Sequence, residues 1–156
     1  MRITKYKTKL TEDKRAVLEK EFSVNYPGMN RKMSSPDNVV RVGRDVIRLH
    51  EQSEEYLYMI CTDIKLNLTS IFELSHGSVN SSVVGIREMF QKALLANAVS
   101  IIVLHNHPSG DPSPSREDIS VTKRMVDAGQ LLGVQVLDHI IIGQPGYCSL
   151  KEKGYL

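Results

Sequence analysis

Cysteine is scarce in this 156-residue chain. Cys61 and Cys148 are the only two, and their spacing matches neither a disulfide framework nor a zinc knuckle, which points to a reducing compartment. Net charge is scarce as well. Twenty Lys and Arg against 18 Asp and Glu leave a formal charge of +2, short of the basic excess of a dedicated nucleic-acid binder. Arg41, Arg44, Arg48, Arg87 and Lys92 are spread over expected helix faces without interleaved aromatics, the pattern of a solvated surface. No apolar window is long enough to span a bilayer, and the N-terminal stretch MRITKYKTKLTEDK lacks the apolar core of a signal peptide. Internal repeats and low-complexity tracts are also missing. These absences leave a cytoplasmic globular protein of ordinary composition, 41% apolar and 24% charged, with the length of one domain.

The chain divides by hydrophobic period. Residues 11–22 (TEDKRAVLEKEF) read as a short helix with Thr11 as cap and acids in its first turn. Asn25 to Pro36 is polar, contains Pro27-Gly28 and reads as an irregular linker. We therefore expect residues 1–34 to be an N-terminal extension and residues 35–156 to be the main domain. There Ser35 can cap a helix and Pro36 suits its first position, with Val39, Val42, Val46 and Leu49 following at helical spacing. Tyr56–Cys61 and Leu68–Leu74 are β-rich runs flanking a polar segment, as in an antiparallel hairpin. After a turn at His76-Gly77-Ser78, Val83 to Asn97 returns to helical period, with Ile86, Met89, Phe90, Ala93 and Leu94 on one side. Val99–Leu104 is a nearly continuous apolar run, as expected of a central strand covered on both faces. A helix from Arg116 to Leu132 stopping at Gly133 and a strand over Val134–Ile142 complete an α/β (α+β) domain with a mixed sheet.

The chemically informative segment starts where that apolar strand ends. His105 and His107 are two apart, so on a strand both imidazoles face the same side and can converge beyond the sheet. Neutral imidazole is a favoured zinc ligand, and three protein ligands with one open position is the usual catalytic pattern. Asp118, eleven residues past His107 at the start of the next helix, can be brought back by the Gly/Pro-rich loop. Two neutral imidazoles and one carboxylate leave zinc net positive, which favours activating a water. A bland reading stands beside this one: a histidine at a strand end is most often a surface or satisfied residue. Ser115-Arg-Glu-Asp118 also has the spacing of a plain capping box.

The segment His105-Asn-His107, separated by ten residues from Asp118, resembles the JAMM motif of the JAB/MPN metallopeptidase domains. The longer string HNHPSGDPSPSREDI is similar to the RadC branch of that family. The resemblance runs over about residues 35–156. It takes in SPDNV, EYLYMICTD, ELSHGS, GIREMFQKALLANAVSIIVLHNHPSG, VLDHIIIG and the terminal YCSLKEKGYL. Full-length RadC proteins usually carry an N-terminal helix-hairpin-helix region, which residues 1–34 do not match, so the chain reads as a stand-alone JAB domain. The resemblance implies a three-layer fold similar to cytidine deaminases and one Zn2+ per chain, held by His105, His107 and Asp118. It also implies hydrolysis of a peptide or isopeptide bond, with a glutamate on an earlier strand as general base and Ser115 stabilising the oxyanion.

The motif does not place that glutamate by spacing. Glu55, at the head of a strand, resembles the family's glutamate-then-apolar pattern and is our choice of base; the alternative is a solvated surface charge. Glu54 should face the other way, and Glu73 and Glu88 lie on a later strand and a helix. His139 reads as a core residue or a support for the metal ligands, and Asp138 as a candidate for orienting a ligand imidazole, with a structural role for the pair as the favoured reading. His50 and His76 read as helix-end and turn residues, Cys61 as a small core residue, and Ser109 and Asp111 as shapers of the loop. Two further functions compete with hydrolysis: a DNA-repair association, the traditional label of the RadC family, and a non-catalytic metal-binding scaffold. The substrate and the oligomeric state are not legible.

Overall fold

A computed structural model describes residues 1–28, 31–77 and 85–156. The described strands are β1 (Arg2–Leu10), β2 (Ala16–Asn25), β3 (Tyr56–Thr62), β4 (Leu68–His76), β5 (Ser100–Asn106), β6 (Gln135–Ile142) and β7 (Tyr147–Ser149). They form one mixed sheet in the order β2-β1-β4-β3-β5-β6-β7. The helices are α1 (Pro36–Arg41), α2 (Ile86–Leu95) and α3 (Arg116–Leu132). This is the expected mixed α/β class.

β5 shows why the sheet needs cover on both sides. Ile102 and Leu104 pack into a core with Val39, Val42 and Leu49 from the α1 region, together with Ile60 and Ile140. Ile101 and Val103 pack into a second core with Met89 and Phe90 of α2 and Val121 and Met125 of α3. Alternating side chains of one strand thus feed two separate cores, and the result is three layers.

Several elements follow local signals closely. Ser35 caps α1 by accepting the Asn38 N–H at 3.5 Å, with Pro36 at the first position. The expected continuation through Leu49 is present in altered form: a wider π-type turn over Val42–Ile47 stops at Arg48, whose φ is 61°, and one 3-10 turn over Leu49–Glu51 follows. β3 and β4 form the expected hairpin. α3 ends where glycine makes a left-handed residue cheap, at Gly133 with φ 70°. α2 begins at Ile86; Val83 of the expected helix and Ser78 of the expected turn lie outside the described residues.

The helix expected over residues 11–22 is not formed. Thr11 to Arg15 is a tight turn with Lys14 at φ 60°, and Ala16–Asn25 is the second strand of a hairpin with β1. The reason lies across the hairpin. Glu19 meets Lys7 and Lys9 at 3.2 and 2.7 Å, and Glu21 meets Lys5 at 3.2 Å. These charges recur every second residue on both strands, a β period that the acids near Thr11 obscured. β1 also pairs in parallel with β4, and Ile3 is buried in the α1-side core. The first 34 residues therefore supply two strands to the common sheet.

Candidate metal centre

β5 lies between β3, antiparallel to it, and β6, parallel to it. His105 is paired with Leu57 on one side and Ile141 on the other and faces α3. His107 follows one residue beyond the strand, and its backbone N–H still reaches the Ile142 carbonyl at 3.1 Å. The loop after it is pinned from the β6–β7 turn, where Gln144 N–H donates to the Gly110 carbonyl at 2.9 Å. A Cβ at Gly143 would collide with that same carbonyl, so the approach requires glycine. α3 then starts with Ser115 as cap. Ser115 Oγ accepts the Asp118 N–H at 3.0 Å and donates to Asp118 Oδ2 at 2.6 Å, while Ser115 N–H donates to Oδ2 at 2.8 Å.

These elements gather His105, His107 and Asp118, with ligand atoms all within 4.8 Å of one another. The two Nε2 atoms are 2.9 Å apart, and they stand 3.4 and 3.5 Å from Asp118 Oδ1 and Oδ2 respectively. The capping box and the cluster are therefore one structure: Ser115 turns the Asp118 carboxylate towards the imidazoles.

Following the protons shows what the cluster lacks. The Thr122 hydroxyl donates its one proton to the Asp118 carbonyl at 2.6 Å, so its oxygen must accept from His139 Nδ1, also at 2.6 Å. Burial pushes the His139 imidazole down to about 4, so it is neutral and its Nε2 is an acceptor. His105 Nδ1, 2.7 Å away, must then donate to it. Burial, with the neighbouring His139 and His107, also holds His105 well below the usual imidazole range against the pull of Asp118. Its Nε2 is therefore a bare lone pair. His107 Nδ1 donates to the Asp111 carbonyl at 2.7 Å, which leaves its Nε2 in the same condition when neutral. With His107 neutral, two nitrogen lone pairs and a carboxylate face one another with no proton among them; the one proton this cluster takes up sits on His107 and bonds Asp118. Positive charge is what they require. The hydrogen bond to Asp118, helped by the Asp111 carbonyl and the charges of Asp118 and Glu55, raises His107 above its ordinary value despite burial. Burial opposes ionisation of Asp118, but its bonds to His107 and Ser115 and the nearby His105 hold it well below the carboxylate range. Two imidazole nitrogens and a carboxylate are a donor set that could hold a metal ion, and zinc is compatible with it.

Glu55 is half-buried just before β3, and its charge is felt at His107. Glu54 is exposed beside it. Glu73 is occupied elsewhere by Lys5, Tyr58 and His76, and Glu88 pairs with Arg87 at the surface. Asp138 does not touch a ligand imidazole. It accepts from the His139 and Lys151 backbone N–H groups and from Ser149 Oγ, so it anchors β7. His139 supports His105 in its place. Both thiols are buried and free. The scattered basic residues are engaged within the chain. Arg44 donates to the Pro145 carbonyl at 2.6 Å, Lys92 to the Glu73 carbonyl at 2.8 Å, Arg48 faces Glu51 and Arg41 bonds Tyr26.

Sequence reasoning missed Thr122, which acts through two hydrogen bonds rather than a motif, and Asn106, which sits between the two histidines. Asp111 contributes its backbone carbonyl, and a backbone group leaves no trace in residue type. The described cavity that touches His107 measures about 40 Å³, room for little more than a water, while larger hollows lie away from the cluster.

Comparison with known proteins adds a family. The profile described as the RadC-like JAB domain matches residues 33–155. A UPF0758 protein of Caldanaerobacter subterraneus subsp. tengcongensis is 44% identical over 138 residues, covering 88% of this chain and 58% of the relative. One from Methanosarcina barkeri is 48% identical over 126 residues, covering 81% and 54%. A third, from Desulfitobacterium hafniense, is 45% identical over 124 residues, covering 80% and 54%. The chain thus spans about half the length of the curated relatives it matches.

Proposed function

The chain belongs to the family of RadC-like JAB domains, and on that premise we propose that it is a zinc-dependent hydrolase of JAMM type, cleaving a peptide or isopeptide bond with water. The observation that carries this reading is the convergence of His105 Nε2, His107 Nε2 and the Asp118 carboxylate on one point. Zinc, when bound there, supplies a Lewis acid that lowers the pKa of water to about 7 and polarises a carbonyl.

The remaining work falls to the protein. His139 holds His105 as a neutral donor, and the Asp111 carbonyl fixes the His107 ring with its Nε2 towards Asp118, so metal entry asks for little beyond loss of a proton from His107. Glu55, on the same side as His107, takes a proton from the attacking water and returns it to the leaving amine. Ser115 holds Asp118 in place; to stabilise a developing oxyanion its hydroxyl turns from Asp118 Oδ2 towards the substrate. A reducing, cytoplasmic setting suits the two free thiols. Among the described residues no helix is long and apolar enough to cross a membrane.

Metal analysis joined to a cleavage assay on a peptide library, with lysine-branched peptides included, tests the proposal. The protein should bind one zinc and cleave at least one library member. Glu55→Gln should keep the zinc and retain only residual, measurable cleavage. One bound zinc with no cleavage of any peptide would instead support a binding scaffold.

A further inference from the structure

We propose that Asn106 is the positioning residue of Glu55, clamping the backbone on either side of it and so locking the base to the strand that carries the metal ligands. This rests on the hydrolase reading above. Asn106 lies between His105 and His107 and is buried, only 2% exposed. The β3–β5 ladder ends at the pair Leu57 and His105. One residue further on, the Asn106 carboxamide takes over the bridging. Its Nδ2 donates to the Glu54 carbonyl at 2.9 Å, and its Oδ1 accepts the Tyr56 N–H at 2.8 Å. Both partners are backbone groups of fixed polarity, so the amide can be oriented in only one way. They are also the immediate neighbours of Glu55, whose own carbonyl is tied by Gly77 N–H at 3.0 Å.

The consequence is geometric. Leu57 faces the α2–α3 side, as His105 does, and the Asn106 clamp carries the pairing one residue past the start of β3, so continued alternation puts position 55 on that side too. The charge of Glu55 is accordingly felt at His107. Because one residue carries both the clamp and the connection between the ligands, base and ligands shift together. An aspartate at 106 has the same shape, yet it keeps only the acceptor for Tyr56 N–H and turns a second oxygen against the Glu54 carbonyl.

The test uses the full chain as Asn106→Ala and Asn106→Asp, each alone and combined with Glu55→Gln. Zinc affinity is measured by chelator competition, turnover on the best-cleaved library peptide, and backbone exchange by NMR. Both single variants should bind one zinc as the parent does. Their kcat should fall by about 100-fold with KM unchanged, and neither should lower the rate further once Glu55 is glutamine. Exchange at the Tyr56 amide should accelerate in Asn106→Ala and stay closer to the parent in Asn106→Asp. Loss of zinc binding, unchanged Tyr56 exchange, or an equal loss of rate in the Glu55→Gln background would each overturn the proposal. If Glu55→Gln alone left kcat intact, the choice of base would fall, while faster Tyr56 exchange with zinc retained would still support the clamp.

Discussion

Two clusters of ionisable side chains sit on opposite faces of the same sheet, and they differ in how their protons are distributed. On the α1 side, Lys5 donates to Glu73 Oε2 at 2.8 Å and stands 3.2 Å from Glu21. The Tyr58 hydroxyl donates to the same Glu73 oxygen at 3.0 Å, and His76 Nδ1 meets the other at 2.9 Å. Burial works to lower the Lys5 ammonium, but Glu73, Tyr58 and Glu21 outweigh it and raise it. Burial likewise opposes the Glu73 carboxylate, and Lys5, His76 and Tyr58 hold it below its ordinary value. Donors match acceptors, and nothing is left for a cation to do. On the α3 side, His105, His107 and Asp118 are as crowded, yet once His107 is neutral each presents a lone pair. Crowding alone separates neither case. The supply of protons does, and it is set by the partners behind each ring.

The contrast can be broken or sharpened by substitution. The largest effect is expected from His105→Ala, which removes a ligand: zinc affinity measured by calorimetry should fall by more than the roughly 100-fold that loss of an outer partner causes. Glu73→Gln should leave zinc affinity unchanged, and a comparable drop there would erase the distinction between the clusters. Next comes Thr122→Val, which removes the acceptor that fixes His139 and, through it, His105. Zinc affinity should fall by about 10–100-fold, and nitrogen NMR of the metal-free protein should show His105 leaving its Nδ1–H form. Thr122→Ser, retaining the hydroxyl, should behave as the parent.

The smaller effects belong to the α1-side cluster. Glu73→Gln should lower stability in urea unfolding by about 1 kcal/mol, because the pair is partly exposed and Lys5 retains Glu21. The sign with pH follows from the direction of the shift. A carboxylate depressed on folding stabilises the protein above its unfolded value of about 4.3 and loses that contribution as pH falls through the lower folded value. The gap in unfolding midpoint between parent and Glu73→Gln, measured from pH 7 down to 3, should therefore persist to about pH 4 and then close. A gap that widened in acid would mean Glu73 is not held as the ionised partner of Lys5.

Much of this arrangement is legible in local pattern. Ser35-Pro36 marks the α1 start, Gly133 marks the α3 end, and the apolar run before His105 marks the strand buried on both faces. Each is a short-range signal with one dominant cause. The N-terminal hairpin was misread because acids beside Thr11 imitate a helix start, while the decisive Lys and Glu partners lie on two different strands. Asp138 takes the structural role rather than the ligand-orienting one because adjacency to His139 in sequence places the two on opposite faces of β6. Asn106 and Thr122 were invisible because their parts are defined by the backbone and ring atoms they meet.

The ligand trio is thus a property of spacing. Two histidines at period two after a buried strand and an aspartate at the next helix start make it a candidate, and the resemblance to the JAMM motif singles it out. Whether those three groups want a cation could be decided only in the folded chain. The protonation of His105 depends on His139, that of His139 on Thr122, and Thr122 on the Asp118 carbonyl, each supplied by a different element. Tautomers are set by buried contacts between distant segments, and a linear string of residues does not encode which rings will meet.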